Sequence, residues 1–346
     1  MKSGTTPKKI IVVRNDKLGD FTLALPTFEL LKRNMPELEV WGLVSEYTRE
    51  LAELYPAIDR VLVDPADGKA LNLARSLRKE RFDAVITLIS TNRVGAAAMM
   101  AGIPCRLAPA TKLAQIFYNW RITQRRSRSV KPEFEYNLDL ARAFLQRQER
   151  CVSDQVDRPV IRTDESAIAL RRAALAEQHG IAASSRWLIV HPGHGGSANN
   201  LSVQQYQRLI DGIQLGTDLT VVVTSGPGEL DKARRLADRL ETTTAIVHES
   251  TQGLGVFIEV LATAEFFIGG STGPLHLAGA LDVPTAGFYP RRTTSSATRW
   301  QTLNRPERRL AFMPPPTAGE RDMSAIDIDA AAALIRRRYL ATTTSN

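Results

Sequence analysis

Asp20 is the carboxylate best placed for acid–base chemistry in the first half of this 346-residue sequence. It follows a short apolar strand, predicted at 10–13, and a polar loop that begins at Arg14, and it stands where a helical pattern begins. Ligands of open parallel sheets bind at the carboxyl ends of the strands, so Asp20 is a candidate general base. A structural role stays open, because Asp at a helix start also stabilises the helix.

A second candidate site is a strand–turn–helix pattern at residues 266–280. Ser271 or Thr272 could cap the helix, and Pro274 fits its first turn, where no amide donor is needed. The free amides and the helix dipole would attract an anion, and glycines such as Gly273 would let a diphosphate approach the backbone. His276 lies in the same turn. The alternative is a well-capped structural helix with a histidine whose hydrogen bonds are satisfied.

The glycine-rich turn at 193–198 formally matches the dinucleotide-binding pattern G-x-G-x-x-G/A. Its following helix is predicted to start only at Ser202, where Gln205 completes a capping-box pattern. That start is too late for the fingerprint, so a nicotinamide enzyme is not favoured. The sequence also lacks a G-x-x-x-x-G-K-[ST] loop, a D-x-D motif and a metal-ligand cluster. We therefore expect neither a nucleotide-hydrolysing motor nor a bound metal or cofactor.

The elements that would position these residues alternate between strands and helices. This alternation predicts an α/β fold with two doubly wound, Rossmann-like domains, at 1–160 and 161–346, and a site in the cleft between them. The terminal helix is expected to pack back on the first domain. Strands are predicted at 10–13, 40–44, 60–63, 84–89, 187–191, 219–224, 245–247, 266–268 and finally 285–288, and helices at 21–33, 49–55, 69–81, 94–101, 134–148, 167–179, from 202, and at 229–240, 257–262, 272–280 and 326–340.

The net charge of +8 is concentrated in one segment. From Ala84 to Pro132 there are eight basic residues and no acidic one. This block fits an anionic membrane, a phosphorylated ligand or, because it includes Tyr118 and Trp120, a nucleic acid; a solvated face is the alternative.

No run is apolar enough for a membrane span or a signal peptide. Cys105 and Cys151 give neither a disulfide framework nor a zinc pattern. A cytoplasmic protein is therefore expected.

Three ordered segments resemble glycosyltransferase family nine, the ADP-heptose:lipopolysaccharide heptosyltransferases and their relatives. The first is Asp16 to Asp20 followed by Ala24-Leu25-Pro26. The second is Val190-His191-Pro192-Gly193 followed by residues 201–206, and the third is Ser271 to Leu281 followed by Val283-Pro284. The matches extend from residue 10 to about 290, so they cover most of the chain.

The resemblance implies a GT-B architecture and an inverting, metal-independent transfer of heptose or a related sugar from an ADP-sugar to a lipopolysaccharide core or similar glycolipid. Asp20 matches the catalytic carboxylate, which would take the proton of the acceptor hydroxyl. The basic acceptor side would comprise Arg14, Arg121 and Arg125. The donor side would comprise His191, Pro192, Gly193, Asn199, Asn200, Glu229, Ser271, Thr272, Gly273 and His276.

Two departures from the family pattern concern the donor. The family often carries Asp where this chain has Ser271, and Lys near Asn199 or Asn200; Arg291 or Arg292 could replace that cation. Another nucleotide-sugar donor, or a non-catalytic two-lobed module that binds nucleotide or glycan, therefore remains an alternative. The lead prediction is an enzyme at the cytoplasmic face of the inner membrane, in peripheral contact with it, whose partners are a nucleotide-sugar and an anionic glycolipid and not a nucleic acid.

Overall fold

The computed structural model describes residues 6–65, 67–111, 113–193, 195, 199–215, 217–240 and 244–340. The chain forms two compact units that meet in sequence between Asp157 and Arg158. That division falls three residues before the boundary expected from the sequence.

The first unit contains one fully parallel sheet of six strands in the order β3-β2-β1-β4-β5-β6. Its central strand forms because Ile10, Ile11, Val12 and Val13 are apolar and mostly β-branched, and all four are buried. The strands are β1 (Lys9–Val13), β2 (Glu39–Val44), β3 (Arg60–Val63), β4 (Ala84–Thr87), β5 (Cys105–Pro109) and β6 (Trp120–Ile122).

Six α-helices accompany this sheet, with α2 packed on α6 and α4 packed on α5. They are α1 (Leu18–Thr22), α2 (Leu25–Asn34), α3 (Arg49–Leu54), α4 (Ala70–Glu80), α5 (Asn92–Met100) and α6 (Glu133–Arg147). The single helix predicted at 21–33 is wrong, because the chain breaks it into α1 and α2. Pro26 lacks the amide that a continuous helix would need at this point.

The second unit repeats this architecture, with six parallel strands in the order β12-β11-β10-β7-β8-β9. The strands are β7 (Trp187–His191), β8 (Thr220–Ser225), β9 (Ala245–Glu249), β10 (Phe266–Gly270), β11 (Thr285–Phe288) and β12 (Arg309–Phe312). The helices are α7 (Glu165–His179), α8 (Val203–Gln214), α9 (Leu230–Ala237), α10 (Leu254–Ala262), α11 (Gly273–Ala280) and α12 (Ile328–Ile335). Each unit is thus a doubly wound α/β domain, as predicted.

The C-terminal helix α12 packs against α8. Ile328, Ala332 and Ile335 are buried in the apolar core of the second unit. Its apolar face is thus used by its own unit, and the expected packing on the first domain stays a prediction. A π-helical turn, Arg336–Leu340, follows α12.

Three strands were not foreseen, namely β5, β6 and β12. Arg106 and Pro109 interrupt the apolar pattern of β5, while β6 has only three residues and β12 is only partly buried. The expectation that the last strand ends at Phe288 is consequently wrong. All three strands lie towards the edge of a sheet, where the demand for continuous apolar sequence is weakest. The other predicted elements are confirmed to within about three residues at each end, except that the helix predicted at 326–340 is α-helical only over Ile328–Ile335 and continues as the π-helical turn.

Candidate functional site

The predicted site residues collect at equivalent places in the two sheets. In each sheet the winding direction reverses at a central pair of strands, β1 and β4 in the first unit and β7 and β10 in the second. Ligands of doubly wound sheets bind outside the carboxyl ends of the strands at such a switch point. Arg14 directly follows β1, His191 ends β7, and Ser271 directly follows β10.

Asp20 lies in α1 and contacts Arg14, whose guanidinium donates a hydrogen bond to it from Nη2. The side chain of Arg14 is only 1% exposed and that of Asp20 is 16% exposed. The same guanidinium donates from Nε to Oδ1 of Asp16 at 2.9 Å and from Nη1 to Oε1 of Glu133 at 2.9 Å. Arg14 therefore holds three carboxylates around one buried positive charge.

Burial raises the pKa of Asp20 from its ordinary value near 4 to about 6. The positive charge of Arg14 opposes this rise, while the negative charges of Asp16 and Glu133 add to it. For Arg14 itself burial disfavours the charged form, but the three carboxylates outweigh it and raise its pKa. A carboxylate that is ionised at neutral pH, yet holds a proton more firmly than usual, is suited to accept one from a substrate.

Arg14 already donates to protein groups from each of its guanidinium nitrogens, and its predicted contact with an acceptor stays a prediction. Nε, Nη1 and Nη2 donate to Asp16, Glu133 and Asp20, and Nη1 also lies 3.4 Å from Oδ1 of Asn137. Arg121 on β6 and Arg125 in the following loop are exposed, so they can meet a ligand from solvent. The acceptor role of these two residues stays a prediction.

Sequence reasoning missed Glu133 and Arg126. Glu133 opens α6 and is 1% exposed, and Arg126 donates to it from Nη1 at 2.7 Å. Nothing local distinguishes Glu133 from an ordinary acidic residue in a helix first turn. Its burial depends on β1 and α6 meeting across more than a hundred residues of chain, which no short motif records.

In the second unit, the helix start after β10 is open to an anion. Thr272 occupies the N-cap position of α11, but its hydroxyl donates to the carbonyl of Gly270 at 3.3 Å and does not cap the helix. Pro274 stands in the first turn, and Ser271 is partly exposed. Amides in the first turn of a helix that receive no side-chain cap are available to a ligand such as a diphosphate.

His276 lies one turn into α11 and is buried, with 2% of its surface exposed. Burial lowers its pKa to about 4, so the ring is neutral at neutral pH. Within the described part of the chain its Nδ1 has no hydrogen-bond partner. Its ring meets the edge of Trp300, with centroids 6.2 Å apart. A buried polar atom of this kind is costly unless a ligand or water completes it.

His191 and Glu229 come together from the ends of β7 and β8. Nδ1 of His191 lies 3.0 Å from Oγ1 of Thr224, and its Nε2 lies 3.6 Å from Oε2 of Glu229. The amide of Gly195 donates to Oε1 of Glu229 at 2.7 Å. A β-carbon at Gly193 would stand 2.0 Å from Oε2 of Glu229, so only glycine permits this approach. His194 and residues 196–198 of the same turn lie outside the described residues.

Asn199 and Asn200 both make protein contacts, and their assignment as donor ligands stays a prediction. Asn200 donates from Nδ2 to the carbonyls of Pro192 and Gly193 at 2.8 and 3.2 Å, and its Oδ1 accepts from the hydroxyl of Tyr206 at 2.7 Å. Asn199 donates to the carbonyl of Arg321. Asn200 thus fixes the turn at Pro192 and Gly193, whose own place at the end of β7 remains compatible with donor binding.

The predicted substitute cation Arg291 is likewise committed, because its Nη2 donates to the carbonyls of Pro316 and Ala318 at 3.3 and 3.0 Å. Arg292 is exposed. Across the ranges that the structure describes, no group of three or more His, Cys, Asp or Glu side chains is arranged to hold a metal ion. Within those ranges, no helix combines the length and apolar character that crossing a bilayer requires.

Comparisons with known proteins indicate the family of the chain. The family model "Glycosyltransferase family 9 (heptosyltransferase)" matches residues 70–310. A Haemophilus influenzae protein named "Putative glycosyltransferase" is 43% identical over 332 residues, which are 95% of this chain and 96% of that protein.

Solved structures share the fold along nearly the whole chain. A Veillonella parvula glycosyl transferase of family 9 superposes with a TM-score of 0.78 at 17% identity and covers 96% of this chain and 97% of its own. Escherichia coli ADP-heptose lps heptosyltransferase II superposes with a TM-score of 0.74 at 16% identity and covers 96% of this chain and 98% of its own. E. coli heptosyltransferase WaaC with ADP superposes with a TM-score of 0.70 at 17% identity and covers 95% of this chain and 99% of its own. The family model and the relative at 43% identity together establish that this chain belongs to glycosyltransferase family 9 and is a glycosyltransferase.

Proposed function

We propose that this enzyme transfers heptose, or a related sugar, from an ADP-sugar to a lipopolysaccharide core or similar anionic glycolipid, with inversion and without a metal ion. The observation that carries the proposal is Asp20, a carboxyl group held at the carboxyl end of β1 with its pKa raised to about 6. Such a group is ionised at neutral pH and basic enough to assist the attack of an alcohol.

In the proposed reaction, Asp20 accepts the proton of the acceptor hydroxyl while the oxygen attacks the anomeric carbon of the donor sugar. The new carbon–oxygen bond forms as the bond between the anomeric carbon and the nucleoside diphosphate breaks, and the electron pair leaves with the diphosphate. One displacement at the anomeric carbon inverts its configuration. Arg14 orients the carboxylate, since it donates directly to Asp20 and is itself fixed on Asp16 and Glu133.

The second unit is proposed to bind the donor. The uncapped first turn of α11 would receive the departing diphosphate, and its backbone amides would stabilise the charge that develops there. The neutral His276 ring offers a buried nitrogen within the same turn. Glu229, fixed by Gly195 beside His191, offers a carboxylate to nucleotide hydroxyls. WaaC, one of the structures with this fold, has been solved with ADP and with ADP-2-deoxy-2-fluoro heptose, which supports ADP as the nucleotide.

On the acceptor side, the proposal assigns the basic block of the first unit to a phosphorylated glycolipid. Arg121 and Arg125 are exposed, and no acidic residue occurs between Ala84 and Pro132. Such a surface complements anionic headgroups at the cytoplasmic face of the inner membrane. The enzyme would then be a peripheral protein that reaches its acceptor from the cytoplasm.

The direct test is a comparison of surface glycolipid, by mass spectrometry, from cells with and without the gene, followed by transfer from ADP-heptose to the truncated glycolipid with purified enzyme. We expect the cells lacking the gene to lose one heptose, and the enzyme to restore that mass and release ADP. Loss of a different sugar would replace heptose in the proposal. An unchanged glycolipid would remove the lipopolysaccharide acceptor.

A non-catalytic binding module is the second candidate, and it is favoured by the absence of a cation at Asn199 and Asn200, whose amides face the protein. Calorimetry with ADP, UDP and GDP separates the two candidates when it is run beside the transfer assay. Tight binding of one nucleotide without transfer to any glycolipid extract would support the module. Binding of ADP together with turnover supports the enzyme.

A further inference from the structure

Glu133 is a buried carboxylate that the proposed reaction does not use directly. It is the first residue of α6 and is 1% exposed. Its Oε1 accepts from Nη1 of Arg14 at 2.9 Å and from Nη1 of Arg126 at 2.7 Å. Glu133 therefore divides its negative charge between the arginine that contacts Asp20 and a second arginine.

Arg126 approaches Glu133 from the loop between β6 and α6, where residues 126–128 form a 3-10 turn. Its Nε donates to Oε1 of Gln124 at 2.7 Å, and its guanidinium lies 5.6 Å from the centre of the Tyr136 ring. Only 12% of the side chain is exposed. Arg126 thus points inwards, while its neighbours Arg125 and Arg128 are exposed.

These contacts form a line of alternating charges: Asp20, Arg14, Glu133 and Arg126. The charged groups that act on Asp20 are Arg14 at the end of β1, Asp16 in the following loop and Glu133 on α6. Because the line is buried, water screens it poorly and each charge changes the field at the next one. Removing a negative charge from this line makes an anionic Asp20 easier to form, and removing a positive charge makes it harder.

We propose that Glu133 and Arg126 are positioning residues for the catalytic base: they fix Arg14 and determine how strongly its positive charge acts on Asp20. Their catalytic meaning rests on the proposed function of Asp20. Their effect on the protonation of Asp20 does not, because it exists in the free protein and can be measured without donor or acceptor.

The test is a carboxyl titration of the full-length protein by NMR, with [4-¹³C]aspartate incorporated and the Asp20 signal assigned by its loss in Asp20→Asn. We expect Glu133→Gln to lower the pKa of Asp20 by about one unit, since a neighbouring like charge shifts a carboxyl by this order. Arg126→Gln should raise the pKa of Asp20. Without Arg126, the negative charge of Glu133 offsets more of the positive charge of Arg14, which then stabilises the anionic Asp20 less. Arg125→Gln is the matched control. It removes the same charge one residue away and should leave the pKa of Asp20 unchanged.

Opposite shifts in the two variants support the proposal, whereas a residue that merely maintains the fold would not separate them by sign. Shifts of equal sign, or shifts no larger than that of Arg125→Gln, would overturn it. If thermal unfolding shows that Glu133→Gln does not fold, the proposal is tested with Arg126→Gln and Glu133→Asp instead. Arg126→Gln must still raise the pKa of Asp20, and Glu133→Asp must restore a value near that of the wild type.

Failure of this proposal can be distinguished from failure of the proposed function. If the pKa of Asp20 shifts in opposite directions in the two variants but the protein transfers no sugar, the effect of Glu133 and Arg126 on Asp20 stands and only its role in catalysis is removed. In an active enzyme, the acid limb of the profile of kcat/KM against pH should move with the titration, downwards in Glu133→Gln and upwards in Arg126→Gln. A profile that stays fixed while the titration moves would show that another group, and not Asp20, is the base.

Discussion

At the scale of single residues, the proposed reaction depends on one carboxyl group, and the surroundings of this group act on its pKa in opposite directions. Burial and two neighbouring carboxylates favour the proton on Asp20, and Arg14 favours its loss. Asp20 could be predicted from the sequence because it follows β1 in a recognisable motif. Glu133, Asn137 and Arg126 could not, because their importance arises from contacts between β1, α6 and a distant loop. The contact between Asn200 and Tyr206 likewise has no local signal, because folding brings the two side chains together.

Asp20→Asn should abolish most of the activity and keep the fold. Loss of a general base lowers kcat by about 10² to 10⁴-fold, and the amide cannot accept the proton. Transfer is measured as release of ADP from the donor in the presence of acceptor, and circular dichroism checks the fold. A variant that stays folded and turns over within a few-fold of wild type would exclude Asp20 as the base.

The raised pKa of Asp20 also predicts a pH dependence of stability. A folded carboxyl with a pKa near 6 binds its proton more tightly than the same group in the unfolded chain, near 3.8. Its contribution to the free energy of unfolding therefore falls as pH rises from about 4 to about 6 and stays constant above.

Denaturant unfolding of wild type and Asp20→Asn between pH 4 and pH 8 measures this difference. The variant should gain stability relative to wild type across that window, because it has no buried charge to form. A constant difference would show that the pKa of Asp20 is the same in both states.

At the scale of elements, the proposed site residues lie at or after the ends of β1, β7 and β10, and these central strands are the ones whose sequence is most plainly apolar. They were predicted correctly, as was the capping box at the start of α8, where Ser202 and Gln205 bond reciprocally. The strands β5 and β6 escaped because Arg106, Pro109 and Arg121 interrupt their apolar pattern, and β12 escaped because it is short and only partly buried. The sheet order that creates each switch point follows from long-range pairing and has no local signal.

Gly193→Ala tests whether the turn after β7 serves the nucleotide. A β-carbon there would lie 2.0 Å from Oε2 of Glu229 and 2.8 Å from Nε2 of His191, so both side chains must move. We expect ADP to bind at least tenfold more weakly by calorimetry, about 1.4 kcal/mol. Gly226→Ala is the matched control, because its β-carbon would stand 3.5 Å from the same Oε2, an ordinary contact. Equal ADP affinity in the two folded variants would remove Glu229 from the donor site.

At the scale of the whole molecule, the charge of +8 is unevenly distributed, and the acid-free segment lies in the first unit. Arg125 and Arg128 are exposed in the loop that leads into Glu133. Leu113 and Ile116 are 77% and 68% exposed in the 3-10 turn Leu113–Phe117, where residues three apart lie on the same side. The acid-free segment thus carries both exposed apolar side chains and exposed arginines, a combination that favours binding to an anionic membrane surface.

Vesicle sedimentation should therefore show binding to phosphatidylglycerol-containing membranes that weakens as salt rises. Reversing Arg125 and Arg128 to Glu should weaken binding by about tenfold or more, since each basic residue near such a surface contributes about 1 kcal/mol. Reversing Arg234 and Arg235, which are exposed on α9 of the second unit, changes the net charge equally and should have a much smaller effect. An equal effect of both pairs would mean that total charge alone governs binding. Stronger salt-dependent binding to duplex DNA than to vesicles would assign the acid-free segment to nucleic acid instead.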